Sequence, residues 1–203
     1  MAYPTVEGPY GFQPINLIGG QVFAGATRQI PIASGSGTSI FYGDVVRLNT
    51  GGTLSRVSTT DSATDAVGIF LGCAFTNPTT KQFLQQQYYP ASTVASDIVA
   101  YVCDDPDTYF KVAVLSNSTT IGGMTQTDIG NNVAILTTAG STTTGDSKEG
   151  VSATTGSGTA LPFRVISGVP ETVNASGSFT EVIVKFNFGV HTYYSAAAVA
   201  TAA

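Results

Sequence analysis

The stretch FYGDVVRLNTGGTLSRVSTTDSATDAVGIFLGCAF, residues 41–75, decides the fold class, because it predicts two core strands and the connection between them. Val45, Val46 and Leu48 have β-branched or apolar side chains that suit a pleated surface, and the turn-forming residues 49–52 end this run. The second run, residues 66–73, is apolar on both faces, as in a strand that is covered on both sides. This stretch therefore indicates a β-rich globular protein.

Further strands are expected on both sides of this stretch, and they are short and separated by turn residues. Together they give about eight to ten strands and no helix of ten residues, which predicts an all-β protein: a compact barrel, a β-tulip-like body or a sandwich. The predicted strands are residues 21–32, then 81–90 as the hairpin partner of 67–75, then 97–103 and 109–115, and finally 161–170 with 178–190 as a closing pair.

The chain divides into a body and two extended arms. Residues 1–20 are interrupted by three prolines, which force an extended N-terminal arm. Residues 21–190 form the predicted β-rich domain, within which residues 137–160 are low in complexity and predict an exposed loop rich in Ser, Thr and Gly. The Ala-rich residues 191–203 are expected to be a C-terminal tail that frays or docks on a neighbour.

The charge content limits the classes of partner. Only 21 of the 203 residues are Asp, Glu, Lys or Arg, well under the roughly 25% typical of soluble domains. A weakly charged surface is typical of a protein whose surface is buried against other proteins, and it is equally compatible with a Thr-rich soluble β-protein. The net charge of −5 without a Lys or Arg cluster argues against direct contact with nucleic acid.

The sequence carries no targeting signal that we recognise. No apolar run approaches the roughly 20 residues that span a membrane, and the N-terminus lacks the positive and apolar regions of a secretory signal. We therefore expect a protein of the cytoplasm with no membrane partner. The two cysteines, Cys73 and Cys103, are too few for a disulfide framework and are expected to be reduced and buried.

Catalytic chemistry is not predicted. The single histidine, His191, lies in the tail, where a catalytic geometry is hard to hold, so we expect no enzyme activity and no catalytic residue. The acidic cluster at residues 104–107 has three carboxylates that could bind Ca²⁺, but it lacks the twelve-residue calcium loop. An Asp-Pro turn between strands is the favoured interpretation, and no metal or cofactor is predicted.

Tyrosine pairs are the remaining candidates for ligand binding. The chain has no tryptophan, although sugar-binding surfaces often stack rings on aromatic faces. Tyr88 with Tyr89 and Tyr193 with Tyr194 could serve as stacking platforms, or they could anchor strand faces and interfaces. Both interpretations stay open at this point.

Two groups of segments carry a likeness to known proteins. The run GDVVRL (43–48), its hairpin and the return AVGIFLGC (66–73) resemble the core of the head-decoration, or cement, proteins of tailed bacteriophages. With the segments GPYGFQPINLIGGQVFAGATRQIPI (8–32), SDIVAYVCDDPD (96–107), VPETVNASG (169–177) and VKFNFGVH (184–191), most of the chain resembles virion proteins of marine and freshwater phages, cyanophages among them. These motifs are structural.

The resemblance implies a protein that adds to the outside of an icosahedral phage head around maturation, clamps neighbouring major capsid proteins and resists the pressure of packed DNA. Such proteins have no catalytic residues. The implied partners are the major capsid protein and sister copies, as a homotrimer or a homodimer at local three-fold or two-fold positions. The implied location is the outer surface of the virion, after assembly in the host cytoplasm.

The residues expected to contact the capsid or a sister subunit are aromatic and apolar side chains of the two arms. Two alternatives remain: a carbohydrate-binding or adhesive β-module of a phage tail or fibre, and a tail-tube or head-completion component that forms rings. The expected contact residues are Tyr3, Tyr10, Phe12, Ile15, Leu17, His191, Tyr193 and Tyr194.

Overall fold

The computed structural model describes residues 6–17, 20–58, 65–158 and 160–187, and within them the chain is all-β, as predicted. The described residues form twelve strands and two single turns of 3-10 helix, Gln126–Asp128 and Pro170–Thr172. The strands are β1 (Gln13–Leu17), β2 (Arg28–Pro31), β3 (Val45–Leu48), β4 (Leu54–Arg56), β5 (Ala66–Thr76), β6 (Phe83–Gln86), β7 (Val99–Cys103), β8 (Thr108–Leu115), β9 (Asn132–Leu136), β10 (Gly150–Gly156), β11 (Phe163–Gly168) and β12 (Glu181–Phe186).

Five strands close into a barrel in the order β8, β10, β9, β11 and β12, and β12 returns to pair with β8. The neighbours are antiparallel except β8 and β10, which run parallel. The eight residues of β8 allow it to serve two partners along one side: Thr108 to Lys111 pair with β1, and Val114 and Leu115 pair with β10. Closure gives every barrel strand two neighbours and so protects its backbone groups.

The remaining strands form a second sheet in the order β2, β7, β5, β3 and β4, with β6 also paired to β5, and all of these pairs are antiparallel. The central strand β5 is buried along both faces, which confirms the prediction from its two-sided apolar sequence. Ala66 and Ile69 of β5 pack toward the barrel, whereas Val67 and Phe70 pack on the opposite side.

The two faces of the second sheet thus belong to two different cores. We call the first the barrel-side core and the second the outer core. The barrel-side core contains Phe12, Val45, Val57, Ala66, Ile69, Cys103, Phe110, Val112, Val114, Met124, Val133, Val151, Phe163, Val165, Val182, Val184 and Phe186. The outer core contains Ile30, Ile32, Ile40, Val46, Leu54, Val67, Phe70, Cys73, Phe75, Tyr89, Ile98, Ala100 and Val102. Both cysteines are free and buried, as predicted.

Most of the predicted strand pairs are confirmed. The strand from residues 67–75 pairs with β6, and β11 pairs with β12 in register from Phe163 opposite Phe186 to Gly168 opposite Val182. The strands on either side of residues 104–107 exist, but β7 belongs to the second sheet and β8 to the barrel. This acidic turn is therefore a crossing point between the two sheets.

The prediction of an exposed loop over residues 137–160 is wrong for its C-terminal half. Residues 150–156 form β10 of the barrel, and Gly150 and Val151 are buried. Gly150 is required by tight packing, because a Cβ added there would lie 2.6 Å from Cδ1 of Leu115. At the start of β10 the small residue therefore reflects close packing rather than exposure.

The start of the chain also differs from the expectation. The predicted strand at residues 21–32 is a strand only from Arg28 to Pro31 and lies at the edge of the second sheet, where a proline is tolerated. Residues 13–17 of the predicted N-terminal arm form β1 and pair with β8, with an irregularity between Pro14 and Asn16. The predicted C-terminal tail, residues 191–203, lies outside the described residues.

Candidate functional site

Four of the eight expected contact residues lie within the described residues. These are Tyr10, Phe12, Ile15 and Leu17, whereas Tyr3, His191, Tyr193 and Tyr194 lie outside them.

Phe12 is fully buried in the chain's own core. Its ring stacks on Phe163 with the centroids 4.6 Å apart, and Phe163 in turn packs against Phe186 at 4.5 Å. This residue is therefore held by the barrel and does not serve as a contact in the folded chain. Its burial corrects the expectation, which followed from its place among prolines and glycines.

Tyr10 is tied to the outside of the barrel by a small polar cluster. Its hydroxyl donates to Oε1 of Glu181, and the Nζ of Lys111 lies 5.5 Å from its ring centroid and 3.5 Å from the same carboxylate oxygen. Burial, together with the hydrogen bond to Glu181, raises the pKa of Tyr10 well above its usual value. The cluster fastens the approach to β1 onto β8 and β12.

Ile15 and Leu17 are half-buried in β1 and lead into an exposed segment. The backbone N–H of Leu17 donates to the carbonyl of Gln21 at 2.7 Å, and the N–H of Phe23 donates to the carbonyl of Ile15 at 3.5 Å. The chain therefore turns back on β1 before it crosses to the second sheet.

Residues 20–29, which follow β1 and lead to the second sheet, form a highly exposed segment. We call this segment the exposed arm. Nine of its ten residues are exposed, and only Phe23 packs against the barrel-side core. Val22 is 75% exposed. The arm has a single charged residue, Arg28, which pairs with Asp104 at 2.7 Å. A weakly charged segment that exposes a side chain such as Val22 gains from burial against another protein surface.

The acidic residues 104–107 form a turn whose carboxylates are engaged locally. The amide of Asp107 donates to Oδ1 of Asp105 at 2.8 Å, while Asp104 pairs with Arg28 and Asp107 lies 3.3 Å from Nζ of Lys185. Among the described residues, no group of three His, Cys, Asp or Glu side chains is placed to hold a metal ion.

Tyr88 and Tyr89, the pair that could have been a stacking platform or a strand-face anchor, do not form a platform. Tyr89 is fully buried in the outer core, and Tyr88 stacks on Phe41 with the centroids 5.5 Å apart. A different cleft, of about 710 Å³, opens where β6 leaves β5. Its lining includes Tyr42 and Tyr101 with three glutamines, Gln85, Gln86 and Gln87.

A cluster of buried charges was not found from the sequence. Asp44 and Glu149 are both 0% exposed, and the guanidinium of Arg56 lies between them. Nε of Arg56 lies 3.1 Å from Oδ2 of Asp44 and 3.0 Å from Oε1 of Glu149, and Nη2 lies 2.9 Å from that same Glu149 oxygen. Backbone N–H groups complete the cluster: Phe41 donates to Asp44 and Val45 donates to Glu149, each at 2.8 Å.

The electrostatics of this cluster are unusual because two acids share one cation. Burial raises the pKa of Asp44 to about 6, although Arg56 opposes the shift. Burial and the negative charge of Asp44 raise the pKa of Glu149 well above its usual range. Both carboxylates are closed off from solvent, so the cluster offers no access to a substrate. It acts as a structural joint between the two sheets.

Comparisons with protein-family models, with curated proteins and with solved structures find no match to this chain. Within the part of the chain that the structure describes, no helix has the length and apolar character needed to cross a membrane.

Proposed function

We propose that this protein is a structural component of a tailed-phage particle, which binds the outer surface of the icosahedral head and stabilises it by clamping neighbouring capsid proteins. The observation that carries the proposal is the exposed arm, residues 20–29, attached to a rigid β-body. A clamp needs a body that keeps its shape and a segment that gains contact area on its neighbours.

Two further features support the proposal. The first is the sequence resemblance to head-decoration proteins, which includes the whole of the exposed arm within the segment 8–32. The second is the low charge of the chain, since the centres of protein interfaces are depleted in charged residues. The partners in this proposal are the major capsid protein and sister copies of the chain, and the location is the outer surface of the virion.

The number of copies in purified virions tests the proposal directly. Quantitative mass spectrometry would measure the number of copies of this chain for each copy of the major shell protein. We expect copy numbers comparable with those of the shell protein. A handful of copies per particle would contradict a shell position and would move the protein to the tail or portal.

A matched pair of variants tests the role of the exposed arm. Val22→Ser removes an apolar side chain that is 75% exposed in the arm, and Val94→Ser makes the same change at a site that is 64% exposed outside it. Neither is expected to change the melting temperature. We expect Val22→Ser to weaken binding to heads that lack the protein by about tenfold, which is the value of burying one such side chain. Equal binding by both variants would contradict the role of the arm.

Truncation of the N-terminus has to spare Phe12. Deleting residues 1–13 would remove a fully buried ring from the barrel-side core, so any loss of head binding would be mixed with loss of folding.

The alternative of a carbohydrate-binding or adhesive β-module is favoured by one observation, the cleft lined by Tyr42, Tyr101 and residues 85–87. Aromatic faces with amide side chains are suited to sugar recognition. A glycan array separates the two functions. Glycan binding that is lost in Tyr101→Ala would support the adhesive module. An array without binding would contradict it and leave capsid binding as the remaining proposal.

A further inference from the structure

The buried charged cluster lies across the junction of the barrel and the second sheet. Asp44 directly precedes β3 and Arg56 ends β4, so both belong to the second sheet, while Glu149 directly precedes β10 of the barrel. The link is made by Val45 of β3, whose N–H donates to Oε2 of Glu149 at 2.8 Å. Nη2 of Arg56 also donates to the carbonyl of Thr138, beyond the end of β9. Each sheet therefore holds part of one polar site.

The charges in this site do not balance if both acids are ionised. One guanidinium faces two carboxylates that are 0% exposed, which leaves a net charge of −1 away from water. An uncompensated buried charge is strongly unfavourable, and proteins commonly relieve it by binding a proton.

Other ionisable groups near the joint do not supply the missing positive charge. Lys148 is exposed although it neighbours Glu149 in sequence, and Nε of Arg47 donates to Oγ of Ser55. Tyr42 and Cys103 are neutral or negative in every protonation state, so they cannot supply it, and burial raises the pKa of each and keeps them neutral at pH 7.

The hydrogen bonds indicate where the proton is held. Both oxygens of Glu149 accept hydrogen bonds, from Arg56 and from the N–H of Val45. Oδ2 of Asp44 accepts from the N–H of Phe41, whereas its Oδ1 is buried and has no hydrogen-bond partner among the described residues. A proton on Oδ1 displaces none of these donors. The hydroxyl of Ser147 also hydrogen-bonds to the Asp44 side chain and favours its ionised form, but burial outweighs this effect and keeps the pKa of Asp44 raised.

We propose that Asp44 and Glu149 hold one proton between them, carried on Oδ1 of Asp44, and that loss of this proton as the pH rises loosens the joint between the barrel and the second sheet. The two acids then titrate as a coupled pair. This property is independent of what the protein binds, so its test does not depend on the proposed function.

The sign of the pH dependence follows from linkage. The pKa of Asp44 is about 6 in the folded chain and that of Glu149 is raised as well, whereas both are near 4 in an unfolded chain. The folded state therefore binds more protons, and stability falls as the pH rises from about 4 through the folded pKa values.

Thermal unfolding of the full chain between pH 5 and 8 tests this. The range stops at pH 8 because the ionisation of cysteine thiols, which are buried in the folded chain, lowers stability in a similar way at higher pH. We expect the melting temperature of the wild type to fall by about 3 °C or more. Asp44→Asn places a neutral group at the protonated position and is expected to remove most of this fall. Glu171→Gln, the same kind of change at an exposed acid, should keep the wild-type profile.

Two outcomes of this experiment would overturn the proposal. One is a wild-type melting temperature that does not fall with pH, and the other is an Asp44→Asn variant that keeps the wild-type slope. The first result would mean that both carboxylates are ionised throughout, and the second that the titrating proton does not depend on Asp44.

A second measurement uses the wild type and so does not depend on the variant folding. The infrared difference spectrum between pH 5 and 8 should contain the band of a buried carboxylic acid that disappears at pH 8 and that is absent from Asp44→Asn. Hydrogen exchange of the N–H groups of Phe41 and Val45, corrected for the intrinsic pH effect, should rise over the same range relative to β12. Absence of the acid band, or its loss without faster exchange at the joint, would overturn the proposal.

Discussion

The barrel and the second sheet differ in how the edges and faces of their strands are protected from solvent. Each barrel strand bonds to a neighbour on both sides. The second sheet, within the described residues, ends at β2 on one side and at β4 and β6 on the other, and its outer core is covered partly by connecting segments that contribute Ile32, Ile40, Tyr89 and Ile98. The difference suggests that the barrel supplies rigidity, whereas edges and exposed segments supply surface for contacts.

The largest expected effect comes from removing a buried ring from the barrel-side core. Phe163 lies between Phe12 and Phe186 and is fully buried, so Phe163→Ala should lower the free energy of unfolding by about 3–5 kcal/mol. Phe83→Ala makes the same change in β6, where the ring is 64% exposed, and should cost less than about 0.5 kcal/mol. Chemical denaturation measures both. Similar losses of unfolding free energy for the two variants would contradict the contrast between a rigid barrel and an exposed sheet edge.

The sequence predicted those parts of this contrast that depend on local pattern. The two-sided apolar run of β5 and the alternation of Val182, Val184 and Phe186 identify buried strands, because the period of two is a property of neighbouring residues. The closure of the barrel was not predictable, since it depends on β12 returning to β8, some seventy residues earlier in the chain.

The buried charged cluster was missed for a similar reason. Asp44 and Glu149 are separated by more than a hundred residues, and Glu149 lies in a segment whose Ser, Thr and Gly content is typical of loops. An acid in a segment that also carries Asp146 and Lys148 looks like part of a solvated surface and gives no sign of burial. Only the pairing of β10 within the barrel brings Glu149 to the second sheet.

The next prediction concerns the strand that both cores share. A Cβ added at Gly68 of β5 would lie 2.5 Å from the carbonyl oxygen of Cys103 and 2.7 Å from Cγ1 of Val102. Because a backbone atom is in the way, β5 and β7 must separate, and Gly68→Ala should cost about 1–3 kcal/mol in unfolding free energy. Gly37→Ala is the control, since that Cβ meets nothing within 4 Å. Equal stability of the two variants would show that the two strands can move apart freely.

The two buried cysteines allow the pH dependence of stability to be compared between the two cores. Cys103 packs in the barrel-side core and Cys73 in the outer core, and burial raises the pKa of Cys103 to about 11 and that of Cys73 to about 12. The folded chain thus keeps thiol protons that the unfolded chain releases near pH 9, so stability falls as the pH rises above 9.

For Cys103 the loss should reach about 1 kcal/mol at pH 10 relative to pH 8. Denaturant midpoints at the two pH values measure it, with Cys103→Ala and Cys73→Ala each expected to reduce the loss relative to the wild type. A wild-type midpoint that is the same at both pH values would mean that water reaches both thiols.

The smallest expected effect comes from an ion pair near the crossing between the two regions. Nζ of Lys185, on β12, lies 3.3 Å from Oδ1 of Asp107, whose side chain is 63% exposed in the turn between β7 and β8. Exposed pairs contribute little because water and salt screen them, so Lys185→Met should change the free energy of unfolding by less than about 1 kcal/mol. A double-mutant cycle with Asp107→Asn measures the coupling. A coupling as large as that of a buried pair would mean that this turn, in addition to the buried cluster at Asp44, holds the barrel against the second sheet.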